Sequence, residues 1–125
     1  VLDEEILLFG DGEQKRDFNY VDDVVDAFLL SAASEEAMGK TFNLGAKPPT
    51  SLRSYLELLY KVAGKEVTYK LVPFPEERRR IDIGDFYTDY SKIEQQLGWR
   101  PETTLSDGLR KTVDYYRENI EHYLT

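Results

Sequence analysis

The apolar positions of this chain fall into short, punctuated runs whose spacing alternates between the periods of strand and helix. Ile6-Leu7-Leu8-Phe9 is an apolar run stopped by Gly10-Asp11-Gly12, which predicts a strand and a tight turn. After the aromatic segment Phe18-Asn19-Tyr20, read as extended, Val21, Val24, Val25, Phe28, Leu29 and Ala32 follow three-and-four spacing. That spacing predicts an amphipathic helix with this stripe inward, capped by Asp22 or Asp23, with Gly39 shortly after its end. Thr41-Phe42-Asn43-Leu44-Gly45 reads as a brief strand. Pro48-Pro49-Thr50-Ser51 leads into a second helix with Leu52, Tyr55, Leu56, Leu59 and Ala63 inward and Gly64 as its stop. Val67 to Val72 alternates and is rich in β-formers, so a strand is expected there. A polar stretch runs from Pro73 to Asp85. Ser91 to Leu97 reads as a short helix closed by Gly98, with Pro101 beyond it. Thr104-Leu105-Ser106-Asp107 resembles a capping box opening a last helix with the stripe Leu105, Leu109, Val113, Tyr116 and Ile120.

The fold class is therefore α/β: a small mixed domain of about four helices and short strands, without internal repeats. The strands are few and short for a self-sufficient sheet, which points to a piece of something larger. A length of 125 residues fits one small domain with a modest core. No apolar run approaches the roughly 20 residues that cross a bilayer, so no membrane span is expected. Val1-Leu2-Asp3-Glu4-Glu5 carries acid where a secretory signal carries base. There is no cysteine, hence no disulfide, thiolate nucleophile or cysteine metal site, and a reducing, cytoplasmic location is expected. A net charge of −8 disfavours a broad positive face for nucleic acid, although a few arginines in one pocket can still bind a small anion.

Gly10-Asp11-Gly12 precedes no helix at dinucleotide-binding spacing and no third glycine follows. The lone His122 lies near the end of the last helix, where it faces solvent or favours the helix C-terminus rather than doing proton transfer. The carboxylates are scattered, and no histidine, cysteine or oxygen-rich loop supports a metal. Two segments stand out. In Gly10 to Asp23, Arg16 follows a tight turn, so its planar fork could be held rigidly for a phosphate; a surface ion pair with Asp17 is the other reading. In Arg78-Arg79-Arg80-Ile81-Asp82, three adjacent cations in an acidic chain suit an anionic ligand, or else a solvated loop balanced by Glu76, Glu77 and Asp82. Phe18, Tyr20, Phe86 and Tyr87 sit beside these segments and read as core rather than as stacking platforms.

Taken together these segments resemble the extended short-chain dehydrogenase/reductase family, specifically its nucleotide-sugar epimerases and dehydratases. That family carries G-x-G-x-Q-x-R-D-F-x-Y-V-x-D, F-N-x-G, R-x-x-D, D-x-S-K, L-G-W-x-P and a final G-L helix. Here they read Gly10 to Asp23, Phe42 to Gly45, Arg79 to Asp82, Asp89 to Lys92, Leu97 to Pro101 and Gly108-Leu109, in that order over almost the whole chain. Ile81 stands where many members have glycine before the aspartate. The resemblance implies that Arg16 and Arg79 grip a nucleoside diphosphate and that Asp82 reaches the ribose or sugar end; Arg78 and Arg80 flank the matching arginine. It implies the C-terminal substrate-binding portion of a Rossmann-type enzyme, residues 1–125 forming one domain fragment, with the N-terminal NAD-binding Rossmann domain absent. NAD would serve the parent enzyme and none would bind this fragment, which lacks the family's Tyr-x-x-x-Lys pair; Lys92 is five residues after Tyr87. The parent is expected to be a UDP-glucose 4-epimerase-type enzyme. The alternative is a stand-alone nucleotide-sugar-binding or interaction module. The expected partners are a nucleoside diphosphate sugar, the missing domain and, through Ile6 to Phe9, non-native self-association.

Overall fold

The chain forms, in order, β1 (Ile6–Phe9), β2 (Lys15–Arg16), α1 (Val21–Ala33), a 3-10 turn (Glu35–Ala37), β3 (Thr50–Ser51), α2 (Leu52–Ala63), β4 (Tyr69–Val72), α3 (Glu76–Arg79), α4 (Ser91–Leu97), α5 (Leu105–Asn119) and a closing 3-10 turn (Ile120–His122). This computed structural model describes residues 5–79 and 81–124, the side chain of Arg79 excepted. β1 pairs in parallel with β4, Ile6 opposite Tyr69 and Phe9 opposite Val72. The pleat turns Leu8 into the interior and leaves Leu7 exposed. β2 pairs antiparallel with β3, Lys15 opposite Ser51 and Arg16 opposite Thr50.

α2 and α5 pack on each other and bury Leu56, Tyr60, Leu109 and Val113. Both begin as their sequences dictate: the Ser51 hydroxyl accepts from the Ser54 amide, and the Thr104 hydroxyl from the Asp107 amide. α2 and α4 end at Gly64 and Gly98, whose φ values of 67° and 73° occupy the left-handed region that closes a helix without a Cβ clash. A second cluster joins Ala27 of α1, Ile93 of α4 and Trp99, with Phe42, Leu44, Tyr90 and Leu97 against it. The indole N–H of Trp99 donates to the carbonyl of Asp23 at 2.9 Å, so the ring is buried with its one donor satisfied.

Five expectations are corrected. The apolar stripe of α1 does not face this core: Phe28 is 68% and Leu29 63% exposed, and the buried face is Asp23 and Ala27 instead. Periodicity identifies a helix that must cover an apolar face, but not the element that covers it. Neither Asp22 nor Asp23 caps α1. Tyr20 is its N-cap with no side-chain cap bond, because the Asp23 carboxylate is turned to Thr103. Residues 41–45 keep the alternation that sends Phe42 and Leu44 inward, yet form no strand and pair with none of the described strands. Phe18 to Tyr20 likewise forms no strand, and β4 begins only at Tyr69, two residues later than the pattern suggests. Among the described residues no helix is long and apolar enough to cross a membrane.

Candidate functional site

β2 has only two residues, so its own ladder cannot fix it, and the structure secures it from a segment some seventy positions away. The Gln14 side-chain amide donates to Asp82 Oδ2 at 2.6 Å. The Lys15 amide donates to Asp85 Oδ1 at 2.8 Å, and the Phe86 amide to the Lys15 carbonyl at 3.1 Å. The Thr88 amide donates to Asp17 Oδ2 at 2.9 Å. Arg16 and Phe86 form an isolated parallel bridge. Residues 14–17 and 82–88 thus run side by side as one platform. Backbone donors meeting carboxylates make charge-assisted bonds, stronger than neutral ones.

Arg16 sits in the middle of this platform, half-buried. Its Nη1 donates to the carbonyls of Gly84, at 2.6 Å, and of Lys15, at 2.7 Å. Both hydrogens of that nitrogen are thereby used. Three donors remain, on Nε and Nη2, along the edge that forms a bidentate contact with phosphate oxygens. No carboxylate partners Arg16 among the described residues, so the ion pair with Asp17 does not form; Asp17 turns instead to Thr88. Asp82 accepts from Gln14 and, through Oδ1, from the Gly84 amide at 3.1 Å, leaving lone pairs of an exposed carboxylate open to a hydroxyl.

The structure therefore brings Arg16 and Asp82 onto the same loop pair. The backbone of Arg79 ends α3, just before this loop, while its side chain and all of Arg80 lie outside the described residues. Arg78 is turned away, its guanidinium 5.4 Å from the centroid of the Phe9 ring. Of the four flanking aromatics, Phe18 is packed inward, stacked on Tyr55 at 4.3 Å, and Tyr20 lies against Gly108; Phe86 and Tyr87 are exposed, contrary to a core reading. Burial of Tyr55 pushes its hydroxyl above the usual tyrosine value. Gln14, Asp17, Gly84, Asp85 and Thr88 carry the platform; sequence reasoning read Asp17 only as an ion-pair partner of Arg16 and gave Gly84, Asp85 and Thr88 no part. Their meeting is a long-range contact for which spacing offers no signal.

Lys92, the lysine of D-x-S-K, is engaged structurally: its Nζ donates to the Thr41 carbonyl at 2.8 Å and lies 5.2 Å from the Phe42 ring centroid. Asp89 accepts from the Ser91 hydroxyl and amide ahead of α4, and these bonds hold its carboxyl below the usual carboxylate range. His122 is exposed beside Glu121. Among the described residues no glycine-rich turn opens a helix in the way a dinucleotide-binding site requires. Gly10 and Gly12 turn the chain into β2 rather than into a helix N-terminus, and the starts of α2 and α5 are occupied by their own caps.

Residues 2–112 match the family described as GDP-mannose 4,6 dehydratase. The chain is 36% identical over 118 residues to UDP-glucuronate 4-epimerase of Thermodesulfobacterium geofontis, covering 93% of this chain and 34% of that protein. It is 36% identical over 119 residues to UDP-glucose 4-epimerase of Mycolicibacterium smegmatis, covering 91% of this chain and 35% of the relative. The crystal structure of UDP-glucose 4-epimerase from Thermotoga maritima with UDP-glucose superposes with a TM-score of 0.74 at 39% identity, over 94% of this chain and 36% of the other. The chain thus spans about a third of the length of the relatives it matches. With the family match running from residue 2 to residue 112 over the α/β fold described above, the chain belongs to the NAD-dependent epimerase/dehydratase family of extended short-chain dehydrogenases/reductases and corresponds to the C-terminal part of such enzymes.

Proposed function

We propose that these residues form the nucleoside-diphosphate-sugar site of a cytoplasmic NAD-dependent nucleotide-sugar epimerase of the UDP-glucose 4-epimerase type. One observation carries the reading: the guanidinium of Arg16 has no carboxylate partner among the described residues, is fixed by two carbonyls, and shares its loop pair with Asp82. A cation held rigid but electrostatically unspent is suited to an anion. Arg16 and Arg79 neutralise the diphosphate from two segments, and Asp82 accepts from a sugar or ribose hydroxyl. What these residues do is bind and orient, since remote binding energy places the reacting sugar carbon. The 4-epimerase type is supported by 39% identity to the Thermotoga maritima enzyme. The exposed α1 stripe of Val21, Val25, Phe28 and Leu29 supports the rest of the architecture: it is the face that an NAD-binding domain covers. Left uncovered, it drives self-association of the 125-residue chain.

The test is a chemical-shift titration of the 125-residue chain with UDP. Weak binding is expected, because salt screens the attraction between an arginine site open to solvent and a diphosphate. Arg16→Ala and Arg79→Ala should each remove most of the response, while Arg110→Ala, on α5 and paired with Asp107, should not. If all variants respond as the wild type does, the diphosphate site is refuted. No turnover of UDP-glucose with added NAD is expected from these residues alone, which contain neither a glycine-rich cofactor turn nor a Tyr-x-x-x-Lys pair; turnover above background would overturn that.

A further inference from the structure

We infer that Asp17 and Gly45 form a positioning junction for Arg16, joining the F-N-x-G and D-x-S-K segments to the anion platform. The inference rests on the diphosphate reading above and gives a role to motif residues that reading leaves idle. Three segments meet at one point. Asp17, next in the chain after Arg16, accepts the Thr88 amide at 2.9 Å. Gly45 is buried directly against this bond: a Cβ built on it would stand 2.7 Å from Asp17 Oδ2 and 2.7 Å from the Thr88 carbonyl oxygen. Real carbons do not approach that closely, and one of the two atoms is backbone, which cannot rotate away. Only glycine lets the 42–46 segment close over the Asp17–Thr88 bond.

The far end of that segment is anchored too. Lys92 on α4 donates to the Thr41 carbonyl at 2.8 Å and stands over Phe42, whose ring packs on the Ile93–Trp99 cluster. A continuous path of contacts therefore runs from α4 through residues 41–45 to Asp17, and from Asp17 by one peptide bond to Arg16. On the other side Thr88 belongs to the segment whose Gly84 carbonyl holds Arg16 Nη1 at 2.6 Å. Asp17 thus pins both the strand that carries the guanidinium and the loop that supplies its acceptor. Asp17 is only partly buried and touches no proposed ligand atom. It is a positioning residue.

The experiment uses the 125-residue chain with UDP as probe, and reads the Arg16 Nε–H signal, the Thr88 amide shift and the UDP titration in each variant. Gly45→Ala pushes a methyl into the junction without altering Asp17 or Arg16, and Asp17→Ala removes the acceptor. In both, the Thr88 amide should move upfield and the Arg16 side-chain signal should broaden in the ligand-free chain. UDP affinity should fall about tenfold, the scale of one lost charge-assisted bond. Asp17→Asn keeps an acceptor oxygen and should restore the Thr88 shift and most of the affinity, which a role resting on charge alone would not allow. If Asp17→Ala does not fold, Gly45→Ala and Asp17→Asn carry the comparison. A folded Gly45→Ala or Asp17→Ala chain with unchanged Arg16 signal and wild-type UDP affinity, alongside an Arg16→Ala chain that has lost binding, refutes the junction and spares the diphosphate site. Loss of Arg16 order in the variants of a chain that never binds UDP upholds the junction and refutes the site.

Discussion

Replacing Asp23 by alanine is the most informative stability experiment this structure offers. Asp23 is 6% exposed, and its two carboxylate oxygens accept from the Thr103 amide and the Thr103 hydroxyl, each at 3.1 Å. Its backbone carbonyl holds Trp99, a contact the substitution leaves in place. Alanine removes both side-chain bonds and strands a partly buried amide and a hydroxyl without partners. Bonds to a charged acceptor contribute about 1.5 kcal/mol each at the lower end, so the gross loss is about 3 kcal/mol. Alanine's better helix propensity returns about 0.5 kcal/mol, leaving about 2.5 kcal/mol. For a domain of this size the urea midpoint should then drop by about 1 to 2 M. Trp99, the one tryptophan of the chain, is buried beside the site, so its fluorescence reports the transition directly. Asp26→Ala, on the exposed face of the same helix, should stay within about 0.5 kcal/mol of wild type. Asp23→Asn, which keeps one acceptor, should fall between. A loss below about 1 kcal/mol for Asp23→Ala would show that water replaces both bonds and that the α1–Thr103 link does not hold the fold.

Acid stability should depend on the helix caps. The Thr104 hydroxyl, with Arg110 and Lys111 adding charge, holds the Asp107 carboxyl below its ordinary value, and Ser91 does the same for Asp89. A lowered folded value means stability that is present above the unfolded value of about 3.9 and lost as pH falls through the folded one. Asp107→Asn should therefore flatten the acid limb of the Trp99 fluorescence titration, and Thr104→Ala should bring the Asp107 carboxyl back up in a carbon-13 titration; an unchanged carboxyl would refute the cap as its cause. Phe28→Asp should change folding stability by no more than about 0.5 kcal/mol, because the ring is already 68% exposed. The same substitution should reduce self-association in sedimentation; a chain that associates as before would place the contact elsewhere, with the outer edge of β1 next in line. Tyr60→Phe should cost about 1 kcal/mol, since its buried hydroxyl donates to the Thr68 carbonyl at 2.6 Å and the loss leaves that acceptor unpaired.

Much of this protein was decided by its sequence alone, because local rules act locally. The Ser51 and Thr104 caps, the Gly64 and Gly98 stops, and the burial of Leu56, Leu109 and Val113 follow from side-chain spacing and backbone sterics within a few residues. Tyr116 of the expected α5 stripe is exposed, however, and Tyr60, outside the expected α2 stripe, is buried. The family, too, was legible, since its motifs occur in order along the chain. Tertiary structure decided the rest. The α1 stripe announced a helix with an apolar face but could not say that Ala27 and Asp23, not Phe28 and Leu29, meet this core. Asp23 looked like a cap until Thr103, eighty residues on, supplied better donors. Residues 41–45 had the alternation of a strand and found no ladder partner, so their glycine serves a close approach instead. The candidate site shows the same division. Residue type singled out Arg16 and the family resemblance added Asp82, while their placement on one platform depends on bonds between residues 14–17 and 82–88. Pairing across such a separation is set by the packed core that carries both segments, and nothing in the spacing of either segment encodes it.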